Sequence, residues 1–580
     1  MNTITSDSKR IHLHQGGRAP RALLAGLFSL GVLTGAAALV ACDSGDSGTS
    51  PEGLRVRLYD SPLAPSPYVG VGLLYMRVLG PDLGAQGITN LVPFVPGGGS
   101  ASVSAVPYSP SGEPRQVVVE GWSSNAAGEP VQLLSRGRSV EATVREDLPV
   151  QDLAVFMAQV NTVVPLTDSL GLQSQALTTG RVAHTMTETA SDEVIIAGGG
   201  IIDGQNPQWW TKDGFSALLD TIEVIDTRTN THRLSAGKLV FQRAWHTGTA
   251  LGDGRVLVAG GWVTNQGARQ ASSTVEVIEP RSDTAAKVLA QQMAKARVGH
   301  TATLLDAKTL TILFVGGDTD GNATFEVWDP FKGSPAGARP LPDGQLRRFH
   351  AAERFEARDP AAPSGATRPA VLVVGGESES QPLGSALVYD IKSDLMLEQP
   401  GSLSKGPRTQ LTATYVPSQG KVYIVGGYST LDRNGASNAI DVYDVNAATP
   451  EAAFLTGVGG FNLAHARGGH TATLAGSDEV IIAGGSGTGG AAQETLEIIH
   501  QFLKEEIDST TGQKVLKPFI TVAFACDDPT CPEVPNLPAG RFGHAAIATE
   551  SGMVLFSGGV TGGGTSGVGH VTDLSVYNPQ

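Results

Sequence analysis

The amino-acid sequence predicts an all-β protein, and three observations lead to that prediction. The chain has 73 glycines among 580 residues but only 17% charged residues, which is typical of short strands joined by tight turns. Runs of β-branched residues, such as VIIA at 194–197, are bounded by Gly, Asp and Asn. The third observation is a unit that returns seven times after residue 175. We therefore expect many small antiparallel sheets.

Charge and cysteine content exclude several classes of protein. The formal net charge is −15, which argues against a nucleic-acid partner because phosphates require a basic surface. Three cysteines are too few for a disulfide-dense scaffold or a multi-cysteine zinc array. The sequence has no Gly-x-Ser-x-Gly elbow, His-Glu-x-x-His motif or phosphate-binding loop. We expect no cofactor and no metal site.

The first residues have the pattern of an export signal. Basic residues precede an uncharged run at 22–41, and the run ends in Leu39-Val40-Ala41-Cys42. This ending resembles the lipobox of bacterial lipoproteins, which implies a lipid on Cys42 and cleavage before it. A membrane-spanning helix and a plain secretory signal are the alternatives. We expect a signal peptide at 1–41, a flexible tether at 42–53, and a lipid-anchored extracytoplasmic location in the bacterial envelope, in either membrane.

Residues 54–165 form a second predicted region. They contain alternating β-rich segments, such as QVVVEGW at 116–122, separated by Pro and Gly clusters. Short strands at this spacing predict a small β-sandwich-like domain. Its expected role is that of a spacer or stabilising module.

The repeated unit has a fixed order of parts. It begins with Arg-x-x-His, continues through a strand that ends in Gly-Gly, and closes after a variable loop with a strand that ends in Asp or Asn. The Arg and His positions are Arg181 and His184, Arg243 and His246, Arg297 and His300, Arg347 and His350, Arg467 and His470, and Arg541 and His544. In the fifth copy Arg408 has Leu411 in the His position.

This pattern resembles the kelch repeat, whose marks are an apolar strand closing in Gly-Gly and a later Tyr-Asp-Pro-like end. Most copies lack the family's late Trp, and Tyr occurs at three strand ends, Tyr389, Tyr443 and Tyr577, so the set is a divergent one. The resemblance implies a seven-bladed kelch-like β-propeller over 166–580. Radial stacking would bury both apolar faces of each sheet. We predict that the segment 172–177 completes the seventh blade.

Recurrence decides between a structural and a chemical role for the Arg-x-x-His residues. A catalytic or metal site is single, whereas these residues occur in almost every unit, so we predict a structural role. Carboxylates occupy matching places in five copies, and we expect them to pair with the arginines because buried charges need partners. They are Glu223, Glu276, Glu326, Asp441 and Glu497. Leu387 and Ser575 occupy this place in the fourth and seventh copies.

Three other features have competing interpretations. Cys526 and Cys531 are predicted to form a disulfide in an exported protein, with a free or metal-binding pair as alternatives. The sequence 318–322 is favoured as a turn over a partial calcium loop. Trp209 and Trp210, in the loop 200–220, are the candidate binding residues because paired aromatics anchor sugars or proteins; a small core within the loop is the alternative.

In an up-and-down blade, every loop after a Gly-Gly emerges on one face, which is where we expect binding. The sequence predicts a non-catalytic envelope protein that binds an unknown protein or glycan. An enzyme is the rival, since kelch-like propellers occur in galactose oxidase and in a periplasmic sialic acid mutarotase. The first needs a Cys–Tyr crosslink, and no Cys lies between 43 and 525. The mutarotase and a purely structural component stay open.

Overall fold

The computed structural model describes most of the chain between residues 38 and 579. The described ranges are 38–41, 54–83, 87–93, 112–143, 151–169, 173–204, 208–282, 284–358, 366–455, 461–476, 478–507, 514–524, 534–562 and 568–579. Within them the structure is all-β, without an α-helix, so the predicted class is confirmed. Three short 3₁₀ turns occur at Lys212–Gly214, Pro280–Ser282 and Pro450–Ala452. None of the described helical segments could span a membrane.

The chain divides into two compact units. The first comprises Met1–Val160 and Thr167–Ser174, with Gln580, and the second comprises Asn161–Leu166 and Gln175–Pro579.

The amino-terminal unit contains two sheets. One has three strands, Ala38–Ala41, Leu54–Tyr59 and Gln151–Phe156, of which the last two are parallel. The other has six strands, in the order Ile88–Pro93, Leu73–Leu79, Pro114–Ser124, Pro130–Arg138 and Ala158–Gln159, with Ala142–Thr143 paired to Pro114–Ser124. Strand alternation turns Val117 and Val119 toward a core that also contains Val56 and Val155. The predicted sandwich form stays a prediction.

In the described part of the carboxy-terminal unit, seven small antiparallel sheets recur in sequence order. Their strands are Thr185–Glu188, Glu193–Ala197, Thr221–Asp226 and Thr231–Lys238; Thr247–Ala250, Val256–Ala259, Val275–Ile278 and Lys287–Val288; Thr301–Asp306, Thr311–Val315, Thr324–Trp328 and Arg339–Pro340; Ala351–Arg358, Thr367–Val374, Ser385–Asp390 and Leu395–Ser402; Thr412–Val416, Lys421–Val425 and Ile440–Asp444; Thr471–Ala475, Glu479–Ala483, Leu496–Ile507 and Lys514–Phe524; and Thr162–Pro165, Leu574–Asn578, Val554–Ser557 and Ala545–Ala548.

The first strands of these sheets form a closed cycle. Each contacts the first strand of the next sheet; in the last sheet the equivalent strand is Ala545–Ala548, which contacts both Thr471–Ala475 and Thr185–Glu188. The cores lie between neighbouring sheets: Ile195 and Val224 of the first sheet pack with Val256 and Val258 of the second. Burial of each such side chain contributes about 1.5–3 kcal/mol. This arrangement is consistent with the β-propeller class.

The strand that completes the last sheet differs from the predicted one. Thr162–Pro165 pairs antiparallel with Leu574–Asn578, whereas the predicted segment 172–177 contributes an isolated bridge from Ala176 to Asp573. Residues 162–165, which we had assigned to the amino-terminal domain, therefore belong to the last sheet. Their Thr-Val-Val-Pro sequence has strand propensity, but it lies too far before the first Arg-x-x-His for the repeat period to assign it.

Three loops that follow Gly-Gly doublets carry short strands of their own. These are Gly200–Ile202 with Phe215–Leu218; Trp262–Asn265 with Ala268–Ala271; and Val560–Thr561 with Gly569–His570. Arg243–Ala244, in the Arg-x-x-His motif, also pairs with Trp262–Asn265. We call the surface formed by the loops after the doublets the loop face.

Candidate functional site

Each arginine of the Arg-x-x-His motif lies buried at the end of its sheet and is held by its own repeat. Arg297 donates from Nε to Glu326 at 2.8 Å and from Nη1 to the Gly316 carbonyl at 2.7 Å. The same ion pair joins Arg181 to Glu223, Arg243 to Glu276, Arg408 to Asp441 and Arg467 to Glu497. In six repeats the guanidinium also donates to the carbonyl of the first doublet glycine.

The two repeats without the expected carboxylate use an aspartate from another position. Arg347 donates to Asp343, four residues earlier, at 2.5 Å, and Arg541 donates to both oxygens of Asp573 at 2.7 and 2.9 Å. The side chains that replace the carboxylate, Leu387 and Ser575, are buried. Sequence comparison of the copies by position misses both aspartates, because each reaches the guanidinium from a different place along the chain.

The glycine doublets join consecutive repeats. Gly199 donates its N–H to the Arg243 carbonyl of the next repeat at 2.8 Å. The same bond joins Gly261 to Arg297, Gly317 to Arg347, Gly376 to Arg408, Gly427 to Arg467, Gly485 to Arg541 and Gly559 to Arg181. Gly198 and Gly199 have φ of 61° and 96°, and a Cβ on either would lie 2.7–2.8 Å from neighbouring atoms. Both the backbone conformation and the close packing require glycine here.

The histidines link neighbouring sheets. His350 bonds through Nε2 to the Thr301 hydroxyl of the preceding sheet at 2.9 Å. Equivalent bonds of 3.0–3.2 Å join His246 to Thr185, His300 to Thr247, His470 to Thr412 and His544 to Thr471. Each threonine directly follows the His position of its own repeat.

Two junctions depart from this rule in a compensated way. Where Leu411 replaces the histidine, the preceding sheet has Ala351 in place of threonine, and both belong to one apolar cluster. Where the last repeat has Ala545 in the threonine place, His184 bonds instead to Ser557 at 2.9 Å. At the first junction both polar partners are replaced, and at the second the histidine bonds to a different hydroxyl, as expected when an unsatisfied buried group is costly.

The six histidines are neutral at ordinary pH. Burial lowers the pKa of His184, His300 and His470 to about 3, and the nearby arginines act in the same direction. Burial likewise lowers the pKa of His246, His350 and His544 well below the usual value. Their Nδ1 atoms are buried without a partner. These histidines are placed to hold neighbouring sheets together rather than to exchange protons with solvent.

A ring of left-handed residues lies at the loop face, immediately before the His positions. The seven residues are Ala183, Trp245, Gly299, Phe349, Gln410, Gly469 and Gly543, with φ between 51° and 63°. From Trp245 onward each donates its N–H to the carbonyl of the preceding member, at 2.7–3.4 Å. Left-handed φ is strained for the non-glycine members, so these bonds between sheets hold them in place.

Trp209 covers part of this ring. Its indole stacks on Trp245 with ring centroids 4.9 Å apart, and Trp245 Nε1 donates to the Trp209 carbonyl at 2.8 Å. A Cβ on Gly469 or Gly543 would lie 3.1–3.2 Å from the indole. Trp209 is only 4% exposed, as the alternative interpretation, a small core within the loop, requires. The loop adds its own core to the ring.

Trp210 lies half-buried beside an ion-pair cluster. The Arg433 guanidinium lies 4.9 Å from the Trp210 ring centroid and pairs with Glu377 at 2.7 Å. Glu377 is also 3.3 Å from Arg348. Burial lowers the pKa of Arg433, and Glu377 opposes that shift. No local pattern in the sequence predicts this cluster, since Arg433 and Glu377 lie in loops outside the repeated motif.

Four of the six tryptophans of the chain lie around this ring. Trp210, Trp245 and Trp262 are partly exposed and pack on the cluster that contains Trp209 and Phe542. We call these four tryptophans with Phe349 and Phe542 the aromatic cluster. Aromatic side chains provide large contact areas at low entropic cost, so this part of the loop face is suited to recognition.

Three predicted site residues, Cys42, Cys526 and Cys531, lie outside the described residues. At 318–322, Asp318 accepts from the N–H and hydroxyl of Thr324 and pairs with Arg297 at 3.2 Å. Its oxygens are thus used within the turn. In the described ranges no group of three or more His, Cys, Asp or Glu side chains is placed to hold a metal ion.

Comparisons with known proteins do not assign the chain to a family. No family model and no curated protein matches the chain. A solved structure described as "Structure of YjhT" is 13% identical, with a TM-score of 0.39, and the match covers 60% of this chain and 99% of that one. A similarity of this level carries no argument about function.

Proposed function

We propose that the carboxy-terminal unit is a seven-bladed kelch-like β-propeller that binds a protein or glycan partner through its loop face. The observation that carries the proposal is the aromatic cluster, which gathers four of six tryptophans at the ring where all seven repeats meet. A rigid scaffold with variable loops on one face is a common arrangement for binding sites.

The repeated polar residues support binding over catalysis by these residues. Arg297 and Glu326 are fully buried and bonded to each other, and His350 has a lowered pKa and a threonine partner. Side chains that are buried and paired in this way stabilise the sheets and do not contact a ligand. Recognition then falls to the loop side chains, chiefly Trp210 and its neighbours.

The test is capture from envelope extract, together with a glycan array, by the parent and two variants. Trp210→Ala removes a partly exposed ring of the aromatic cluster. Phe331→Ala removes a ring that is 76% exposed but lies in the turn after a third strand, on the opposite side of its sheet. The proposal expects binding to fall at least about tenfold with Trp210→Ala and to persist with Phe331→Ala. Equal binding by parent and Trp210→Ala contradicts it.

We also propose that the protein is anchored in a bacterial envelope by a lipid on Cys42. The support is the sequence Leu39-Val40-Ala41-Cys42 after an uncharged run. Labelling of producing cells with radioactive palmitate should mark the parent but not a Cys42→Ala variant. Label retained by Cys42→Ala would contradict the anchor. Two acyl chains are sufficient for stable membrane attachment.

A further inference from the structure

In the described part of the amino-terminal unit, one face of the six-stranded sheet gathers three arginines around a single carboxylate, Glu120. Register places Tyr75 beside Glu120 and Glu120 beside Arg136, while Arg77 and Arg138 flank Val118. This face is opposite the one that contributes Met76, Val117 and Val119 to the core. We call the set Tyr75, Arg77, Glu120, Trp122, Arg136 and Arg138 the arginine face.

One carboxylate serves the arginines of this face. Glu120 accepts from Arg77 at 2.8 Å and from Arg136 at 2.9 Å, and Trp122 Nε1 donates to its other oxygen at 3.3 Å. Burial raises the pKa of Glu120, but Arg136 and Arg77 outweigh that effect and lower it overall. Glu120 is therefore ionised and already engaged on both oxygens.

Arg138 makes no direct ion pair with a described carboxylate. In the described part of the chain it makes no hydrogen bond or ion pair, and its Nε is buried and unpartnered. Burial lowers the pKa of Arg138, repulsion from Arg136 and Arg77 acts in the same direction, and the Glu120 carboxylate only partly opposes the shift. Arg115 of the same sheet shows the usual arrangement, since it is fully buried and donates to both oxygens of Asp82 at 2.5 and 2.9 Å. A desolvated cation without a partner is unfavourable unless an anion binds there.

We propose that the arginine face binds an acidic saccharide, with Arg138 holding a carboxylate of the sugar. A guanidinium matches a carboxylate in a planar, bidentate geometry. Trp122 and Tyr75, whose ring centroids are 6.1 Å apart, lie beside the arginines and can pack against the apolar face of a sugar ring. The aromatic pair favours a saccharide over a simple inorganic anion. This site is in the other unit from the loop face and does not depend on the function proposed there.

The test is calorimetric titration of the full chain with tetragalacturonate, a neutral galactose tetramer and phosphatidylglycerol vesicles. The parent, Arg138→Gln and Arg228→Gln are compared. Arg228 is a matched control, because its loss removes the same charge from an exposed arginine that already pairs with Asp226. We expect tetragalacturonate to bind the parent and Arg228→Gln alike, and to bind Arg138→Gln at least about tenfold more weakly. The neutral tetramer should bind no variant measurably.

Several results would overturn the proposal. One is that tetragalacturonate does not bind the parent. Another is that Arg138→Gln and Arg228→Gln lose the same affinity for tetragalacturonate. A third is that the vesicles bind and the saccharide does not, which would assign the face to anionic lipid. Thermal unfolding separates a binding role from a structural one. Since Arg138 makes no direct ion pair with a described residue and is repelled by Arg136 and Arg77, Arg138→Gln should melt at or above the parental temperature, whereas a markedly lower temperature would make Arg138 a structural residue.

Discussion

Gly559 donates its backbone N–H to the carbonyl of Arg181 at 2.8 Å, which joins the last repeat to the first. The same bond joins every other pair of consecutive repeats at 2.8–2.9 Å. The junction between the chain's two ends in this unit is thus equivalent to the six internal junctions. It is reinforced by Thr162–Pro165, which adds to the last sheet. Because the junctions are equivalent and the cycle is closed, we expect disruption of one junction to destabilise all seven sheets.

The buried ion pairs should be costly to break. Glu276→Gln leaves the Arg243 guanidinium buried without its counterion, and we expect the free energy of unfolding to fall by about 3–5 kcal/mol. Glu279→Gln is the control, because the Glu279 pair with Lys287 is exposed and should contribute less than about 1 kcal/mol. Urea denaturation measures both. Similar small losses in the two variants would contradict a structural role for the buried pairs.

The histidine links should behave as coupled pairs. Thr301→Ala leaves both ring nitrogens of His350 without a partner, and we expect a loss of about 1–3 kcal/mol. Adding His350→Leu recreates the Leu411 and Ala351 combination found naturally at the next junction and should restore much of the loss. A double-mutant cycle by urea denaturation tests this. Additive effects of the two changes would show that the bond contributes no coupling.

Acidification should destabilise the carboxy-terminal unit through its histidines. Unfolded histidines bind protons near pH 6.5, whereas in the folded protein burial holds the pKa of His300 at about 3. The contribution of each buried neutral histidine to the free energy of unfolding is therefore fully present above pH 6.5. It is lost as the pH falls toward 3, by about 1.4 kcal/mol per pH unit for each histidine. Urea midpoints measured from pH 7.5 to 4.5 should fall, and less steeply in Thr301→Ala/His350→Leu. If the urea midpoints of the parent and of Thr301→Ala/His350→Leu fell equally with pH, His350 would not contribute to the acid sensitivity.

Glu353 should have the opposite pH dependence. Its carboxyl accepts from the Tyr415 N–H of the next sheet at 3.1 Å, and burial raises its pKa from 4.5 to about 7. Because its pKa is raised, Glu353 contributes to the free energy of unfolding fully below pH 4.5, and this contribution is lost as the pH rises through 7. Glu353→Gln keeps an acceptor and should stabilise the protein by about 1–3 kcal/mol at pH 8 relative to its effect at pH 4.5. If Glu353→Gln had the same effect on the free energy of unfolding at pH 8 and at pH 4.5, the carboxyl of Glu353 would not destabilise the protein on ionisation.

The two adjacent tryptophans should differ in what their loss affects. Trp209→Ala removes a buried ring stacked on Trp245 and should lower stability by about 3–5 kcal/mol. Trp210→Ala removes a partly exposed ring and should cost less than half as much, while its effect on binding is larger. Thermal unfolding and the capture assay, applied to both variants, check the division. Equal destabilisation would mean that Trp210 belongs to the same core.

Contacts that recur in every repeat could be predicted from the sequence, whereas contacts that occur only once could not. The Arg and Glu positions recur at a constant place, so their pairing followed from the pattern alone. Asp343 and Asp573 substitute from other places, and Arg433 with Glu377 forms a contact between two loops, which no local pattern encodes. The burial of Trp209 could not be predicted locally, because it depends on Gly469 and Gly543, residues more than 250 positions away that leave room for its ring.

The central claim is that the carboxy-terminal unit is a closed cycle held by its recurring polar residues. Val164→Asp tests it most directly, since Val164 is buried in the closing strand and a charge there should disrupt that strand. Native-state hydrogen exchange is followed in all seven sheets, with the exposed Val131→Asp as control. A closed cycle predicts that protection falls together in every sheet, including Glu193–Ala197 and Thr311–Val315. A loss confined to the last sheet would contradict it.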